Sequence, residues 1–205
     1  MDDDPRARFA LQIFCTNLAM HRPTLTPLFN AAFASEANRN KLYDEEIAKA
    51  EHDTAAGQED KEWMRMVGEA MLNDDVVRKV YSGTVVTAHN AMLQRFSGGL
   101  QMPNGRGLRV GALIRGVPVS HVLWAGRNMV QHHDDWEKNG GEAFVAKNYC
   151  SEYEVLSRIS RGGGVMAVNA LDVLIRLTEP ERTYEKLERV VYECAIDIIR
   201  QKWPE

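Results

Sequence analysis

The chain reads as an all-α protein, an up-and-down helical bundle with an N-terminal helical extension. Three observations predict this. Apolar residues recur every three or four positions along most of its length. The interruptions are Pro, Gly and short polar clusters of the kind that start and stop helices. A sustained apolar–polar alternation, which a sheet strand would need, is missing. With 44% hydrophobic and 26% charged residues the composition is that of an ordinary soluble domain. No apolar run approaches the roughly 20 residues of a membrane helix, so no membrane association is expected.

Asp4-Pro5 opens the first helix, a polar cap followed by Pro at the first helical position. Phe9, Ile13, Cys15 and Leu18 form its apolar side, and it is expected to stop before Pro23. Thr26-Pro27 repeats the start signal for a second helix to about His52, carrying Leu28, Ala32, Phe33, Ala37 and Leu42. The small polar residues from Asp53 to Asp60 predict a loop, and a short helix follows around Trp63, Met64, Val67 and Met71. Met64, Met66 and Met71 are most simply bundle packing. Residues 1–72 then form the extension, and 73–205 the bundle domain.

Asn73-Asp74-Asp75 is expected to cap a helix over roughly 75–97, with Val76, Val77, Val80, Val85, Ala88, Met92 and Phe96 at helical spacing. Ser97–Gly107, with four glycines and a proline, predicts a loop. Leu108–Val117 permits a short strand or hairpin through its β-branched residues, while its glycines weaken either. Pro118 starts a helix ending near Asn139-Gly140-Gly141. One helix is expected from Glu142 to about Ile159, stopped by Gly162-Gly163-Gly164, and a further one over Val165–Leu177. Thr178-Glu-Pro-Glu181 resembles a capping box for the last helix, with Leu187, Val190, Val191, Cys194 and Ile198 on one side.

Cys15, Cys150 and Cys194 are odd in number and widely spaced, which argues against a disulfide framework or a metal-type pair. Reduced, core-packed thiols in a cytoplasmic protein are expected. The acidic start, Met-Asp-Asp-Asp-Pro, is neither a secretory signal nor a transit peptide.

Charge is distributed unevenly. The net charge is −4, yet Val76–His133 contains no Asp or Glu and seven cations: Arg78, Lys79, Arg95, Arg106, Arg109, Arg115 and Arg127. This suits an anionic ligand. Within the segment runs Arg127-Asn128-Met129-Val130-Gln131-His132. On a helix, Val119, Val122, Leu123, Gly126, Met129, Val130 and His133 fall on the stripe expected to face the bundle, and His121, Trp124, Arg127, Asn128, Gln131, His132 and Asp135 on the remainder. Asn128 and His132 are neighbours at i and i+4. Arg127 lies about 140° round the axis from His132, within reach of a shared ligand from the side.

The residue types indicate the chemistry. Histidine exchanges protons near neutral pH. Arginine stays charged and presents planar donors to phosphate oxygens and to charge that grows in a transition state. Asparagine can orient the imidazole or donate to the same oxygens. Together they suit metal-independent cleavage of an RNA phosphodiester, with the ribose 2′-hydroxyl as internal nucleophile. Arg106, Arg109 and Arg115 are candidate contacts to the RNA backbone, and Trp124 and Gln131 candidate contacts to the bound strand.

Arg127-Asn128-x-x-x-His132, late in a bundle helix, resembles the Arg-x(4–6)-His signature of the HEPN superfamily. A polar residue directly after the Arg is the form associated with its ribonucleases. The flanks Leu123-Trp124-Ala125-Gly126 and His133-Asp134-Asp135-Trp136 are similar to those of bacterial members, and the likeness covers about residues 75–200. The resemblance implies a homodimer whose paired Arg and His residues line one cleft. It implies RNA cleavage without metal or cofactor, leaving a 2′,3′-cyclic phosphate. It also implies a place in bacterial anti-phage defence or a toxin–antitoxin pair, with an antitoxin protein as partner. Arg127 would stabilise the phosphorane, His132 would act as acid or base, and Asn128 would support them.

Two other classes stay open. One is a non-catalytic HEPN-like module that binds nucleotide, RNA or protein. The other is a metal-dependent bundle enzyme around His132 and Asp135. Neighbours on a helix diverge by about 100°, so His132, His133, Asp134 and Asp135 cannot all face one ion. The Glu-x-x-His of di-metal bundles is absent from the chain. Trp124 and Trp136 could stack on bases or seal the core rim. Gly162-Gly163-Gly164 could cradle phosphate but reads more simply as a helix stop. His21, His52 and His89 read as structural.

Overall fold

The computed structural model describes residues 4–56 and 61–203. Seven α-helices lie within them: α1 Pro5–Ala56, α2 Lys61–Gly99, α3 Val119–Lys138, α4 Gly141–Asn148, α5 Cys150–Ile159, α6 Ala170–Thr178 and α7 Tyr184–Lys202. Among the described residues the only strands are β1 Leu113–Ile114 and β2 Val117–Pro118, paired antiparallel. The protein is an all-α bundle, as its periodicity predicts. Residues 1–3 of the acidic start and 57–60 of the expected loop lie outside the described residues.

The first two helices are longer than expected. α1 runs through both Pro23 and Pro27. Each proline removes an N–H and crowds the carbonyl four residues back. Leu18, Leu25, Phe29 and Ala32 are buried on both sides of the prolines, so packing carries the helix across them. Residues 53–56, expected in the loop, complete α1. α2 likewise passes straight through Asn73-Asp74-Asp75. The side chains expected to cap a helix there turn sideways. Ser35 Oγ donates to the Asp74 carbonyl at 2.8 Å, Asn38 donates to the Asp74 carboxylate, and Asp75 pairs with Arg78 and, at 3.0 Å, with Lys79.

The boundary at residues 72 and 73 falls inside α2, and α1 supplies Phe14, Leu18, Leu25 and Phe29 to the main core. Phe14 packs on Phe96 with ring centroids 4.8 Å apart while Ser35 reaches Asp74, so α1 and α2 run antiparallel. α7 also lies antiparallel to α1, tied by Arg22 to Glu188 and, further along α1, by Phe29 against Tyr184.

Leu108–Val117 resolves as a hairpin approach to α3. Arg115 (φ 50°) and Gly116 (φ 78°) both take the left-handed conformation that a two-residue turn requires. Ser120 ties this segment down, donating through Oγ to the Leu108 carbonyl at 2.8 Å and accepting from the Val110 N–H at 2.9 Å. The helix expected over 142–159 breaks at Tyr149 (φ −129°, ψ 48°), where the ring packs against Trp136 and Phe144. The capping box sits elsewhere than expected. Asn169 and Asp172 cap α6 reciprocally, whereas Thr178 ends α6 and donates to the Leu174 carbonyl at 2.7 Å. α7 starts at the Thr183 cap. Residues 165–167 form a 3₁₀ turn ahead of α6. Met64 and Met66 are exposed, contrary to a packing role, and of the thiols Cys194 is buried while Cys150 is exposed. No described helix is long and apolar enough to cross a membrane.

His89 is fully enclosed, at 0% exposure. Its Nδ1–H donates to the Val85 carbonyl at 2.8 Å, which leaves Nε2 to accept from the Tyr184 hydroxyl at 3.4 Å. Burial pushes its pKa from 6.5 down to about 4. The unfolded chain takes up this proton near pH 6.5, and the folded chain refuses it until about 4. Stability held above pH 6.5 is therefore lost as pH falls through that window, by about 3 kcal/mol in total. Urea unfolding at a series of pH values should show this decline, and His89→Gln should flatten it. An equal slope in both proteins would assign the decline to other groups.

Candidate functional site

The site is built on α3, whose sequence packs it on several sides at once. Val119, Val122, Leu123, Ala125, Met129 and Trp136 are buried in the core. Burial is wider than one stripe, because the segment before the helix covers its first turns and α5 covers its middle. His121 and Asn128, expected on the outer face, are consequently buried. Val130, expected inward, is 40% exposed, and Trp136 is fully enclosed, which removes it as a stacking platform.

Asn128 is the hub. Its Oδ1 accepts from Arg127 Nη1 at 2.9 Å, and its Nδ2 donates to Glu152 Oε1 at 2.9 Å. Asn128, a candidate for orienting the imidazole or donating to the phosphate oxygens, here holds the guanidinium, and α5 places a carboxylate over its amide. Glu152 is itself buried. Arg127 is half-buried and has no carboxylate partner among the described residues.

His132 lies one turn further along α3, at the α4–α5 junction. Its ring centroid is 5.9 Å from that of Tyr149, and its Nδ1 is 3.9 Å from Asp135 Oδ2, too long for a hydrogen bond. Tyr149 and Glu152 are themselves one turn apart. Asn128 and His132 therefore share the side of α3 that faces α4 and α5, and Arg127 reaches that side from its flank through its bond to Asn128. No hydrogen bond joins His132 to Arg127 or Asn128 among the described residues.

The other candidates are dispersed. Trp124 is half-buried against His121, with centroids 5.8 Å apart, and Gln131 is exposed. Arg106, Arg109 and Arg115 are exposed on the segment that wraps the start of α3, with Arg115 Nη1 donating to the Arg158 carbonyl at 3.5 Å. Ser120, which anchors that segment, is roughly 18 Å from His132 along the helix axis. A bound strand would have to extend along α3 to touch both groups. Of the seven cations in the acid-free segment, only Arg78 and Lys79 form ion pairs among the described residues.

Among the described residues His132 and Asp135 do not build a metal site with a third ligand, and the cluster with ligand spacing is His133, Asp134 and Glu137, whose donor atoms lie within 4.8 Å of one another. His133 and Asp134 border an apolar cavity of about 610 Å³ together with Val80, Gly83, Met129 and Val130. A second apolar cavity of about 470 Å³ lies between α1 and α2, around Ile13, Phe14, Met92 and Phe96. Neither cavity is lined by Arg127 or His132.

Sequence reasoning missed Glu152 and Tyr149. Glu152 carried a signal: with Val155, Leu156 and Ile159 it continues an apolar stripe at helical spacing, so its carboxylate had to be buried or paired. Tyr149 carried none. No family model, no curated protein and no solved structure matches the chain.

Removing the Glu152 carboxylate strands the Asn128 amide without an acceptor, which costs about 1–3 kcal/mol at a buried site. Glu152→Ala should therefore lower unfolding stability by that amount, while Glu152→Gln, which keeps an acceptor oxygen, should lose less than half as much. Equal losses on denaturant unfolding would contradict the bond.

Proposed function

We propose that this chain is a metal-independent endoribonuclease of HEPN type, acting as a cytoplasmic homodimer. One observation carries the reading. A guanidinium free of any carboxylate partner among the described residues is held by Asn128, which is anchored by buried Glu152, on the same side of α3 as the half-exposed imidazole of His132. An unpaired arginine fixed in place is a ready electrostatic partner for a phosphate.

In this mechanism His132 removes the proton from a ribose 2′-hydroxyl. The 2′-oxygen attacks the adjacent phosphorus, the bond to the 5′-oxygen breaks, and that oxygen takes a proton from water, whose hydroxide is neutralised by the proton His132 removed. The products are a 2′,3′-cyclic phosphate and a 5′-hydroxyl. Arg127 offsets the charge gathering on the non-bridging oxygens. A second copy would contribute its own Arg127 and His132 to the cleft. The cationic segment around Arg106, Arg109 and Arg115 would guide the strand towards α3. The role in defence or as a toxin held by an antitoxin rests on the resemblance alone.

A second reading, a non-catalytic module that binds RNA, nucleotide or protein, is favoured by the lack of direct contact between Arg127 and His132. Incubation of pooled RNA with the protein separates the two. Cleavage should persist in EDTA, leave cyclic phosphate ends, and fall by roughly 10²-fold or more in His132→Ala. Loss of cleavage on chelation, or full activity in that variant, would rule out the nuclease mechanism.

A further inference from the structure

Outside the Arg127–His132 site, three arginines distant in sequence meet at one polar cavity of about 340 Å³. Arg39 comes from α1, Arg78 from α2 and Arg161 from the loop after α5. Asp172 is the one carboxylate in its lining. Like charges gather in this way only where something offsets them, and here the offset is partial. Arg78 pairs with Asp75, and Arg161 lies 3.5 Å from Glu36 and 3.7 Å from Asp172. Asp172 is also engaged by the Asn169 N–H at 3.0 Å. Arg39 has no ion pair or hydrogen bond among the described residues. The Arg78 side chain is only 12% exposed, and its Nε is buried with no partner.

Gly163, the middle of the Gly162-Gly163-Gly164 run, lines the cavity. Gly162 (φ 120°) and Gly164 (φ 74°) occupy conformations that L side chains avoid, and a Cβ on Gly163 would lie 2.6 Å from that of Ala167. Glycine is thus required at all three positions. Ser160 Oγ closes the turn, accepting from the Gly162 N–H and donating to the Gly164 carbonyl, both at 3.3 Å. The Gly163 N–H is left without a protein acceptor among the described residues.

We infer that this cavity binds a phosphate monoester, gripped by Arg39, Arg78 and Arg161 and by the Gly163 amide. Arginine forks match phosphate oxygens two at a time. The volume is at the lower end of ligand sites. No aromatic ring lines the cavity, so nothing there would stack on a base; the phosphate is the recognised group. The site is separate from Arg127 and His132 and stands or falls without them.

The test is calorimetric titration of the full chain, at fixed ionic strength, with inorganic phosphate, AMP and adenosine. Phosphate and AMP should compete for one saturable site, and adenosine should not bind. Arg39→Ala and Arg161→Ala should each weaken AMP binding by roughly tenfold or more. The Arg39→Ala unfolding midpoint should stay at the wild-type value, because that side chain has no protein partner to lose. Arg189→Ala, on the distant α7 surface, should bind as wild type does. A 5′-phosphorylated oligonucleotide that displaces AMP would place the phosphate on an RNA end, and one that does not would confine the site to small phosphate compounds. No saturation at millimolar phosphate, or affinity unchanged in both cavity variants, would overturn the assignment.

Discussion

At Gly126 three helices come into contact around a single backbone position. A Cβ there would lie 3.0 Å from Val173 of α6 and 3.2 Å from Val86 of α2, closer than side chains ordinarily tolerate. The hydrogen at this position lets α3 sink between its neighbours, and that depth sets its rotation about its own axis. Gly83 of α2 repeats the arrangement one turn away, with Val130 3.1 Å from where its Cβ would be. With α3 held at these two points, Asn128 turns under α5, and Arg127 and His132 are left along the rim. Cores packed to native density tolerate little movement, so this register is not adjustable by small shifts.

From that placement follows a chain of polar contacts that runs outward from the core. Glu152 is buried, Asn128 bridges, and Arg127 reaches the half-exposed edge. Each inner group is satisfied by the next, which is the condition for keeping polar atoms in a core. The outermost donors of Arg127 remain unspent, since Asn128 accepts through one Nη alone. A guanidinium bound to a neutral amide keeps its full charge available, whereas one bound to a carboxylate would not. The fold has thus fixed the position of a cation without neutralising it.

Much of the fold was legible in the sequence, and the failures have physical causes. Helical periodicity identified the class because an apolar stripe must face a core whatever the tertiary arrangement. Local stop signals misled where tertiary contacts overrode them. Pro23 and Pro27 mark helix ends in isolation, but α1 is buried on both sides of them and continues. Asn73-Asp74-Asp75 reads as a cap, yet Asp74 is taken up by Ser35 and Asn38 and Asp75 by Arg78 and Lys79, and α2 runs on. The break at Tyr149 had the opposite character, a tertiary aromatic cluster interrupting a continuous pattern. At the site, Arg127 and His132 could be chosen by residue type and spacing. Their orientation could not, because it depends on Glu152, a residue 24 positions from Asn128. Likewise the Gly162–Gly164 run read as a helix stop, since Arg39 and Arg78 join it only in three dimensions.

Whether Arg127 and His132 serve one phosphate can be asked of both side chains in a single NMR titration with an uncleavable 2′-deoxy oligonucleotide. The Arg127 Nε–H and His132 ring resonances should shift together, with one dissociation constant, and the His132 shift should vanish in Arg127→Ala. Movement of one group without the other, or saturation at different concentrations, would show that they attend to separate environments and would contradict a shared catalytic phosphate.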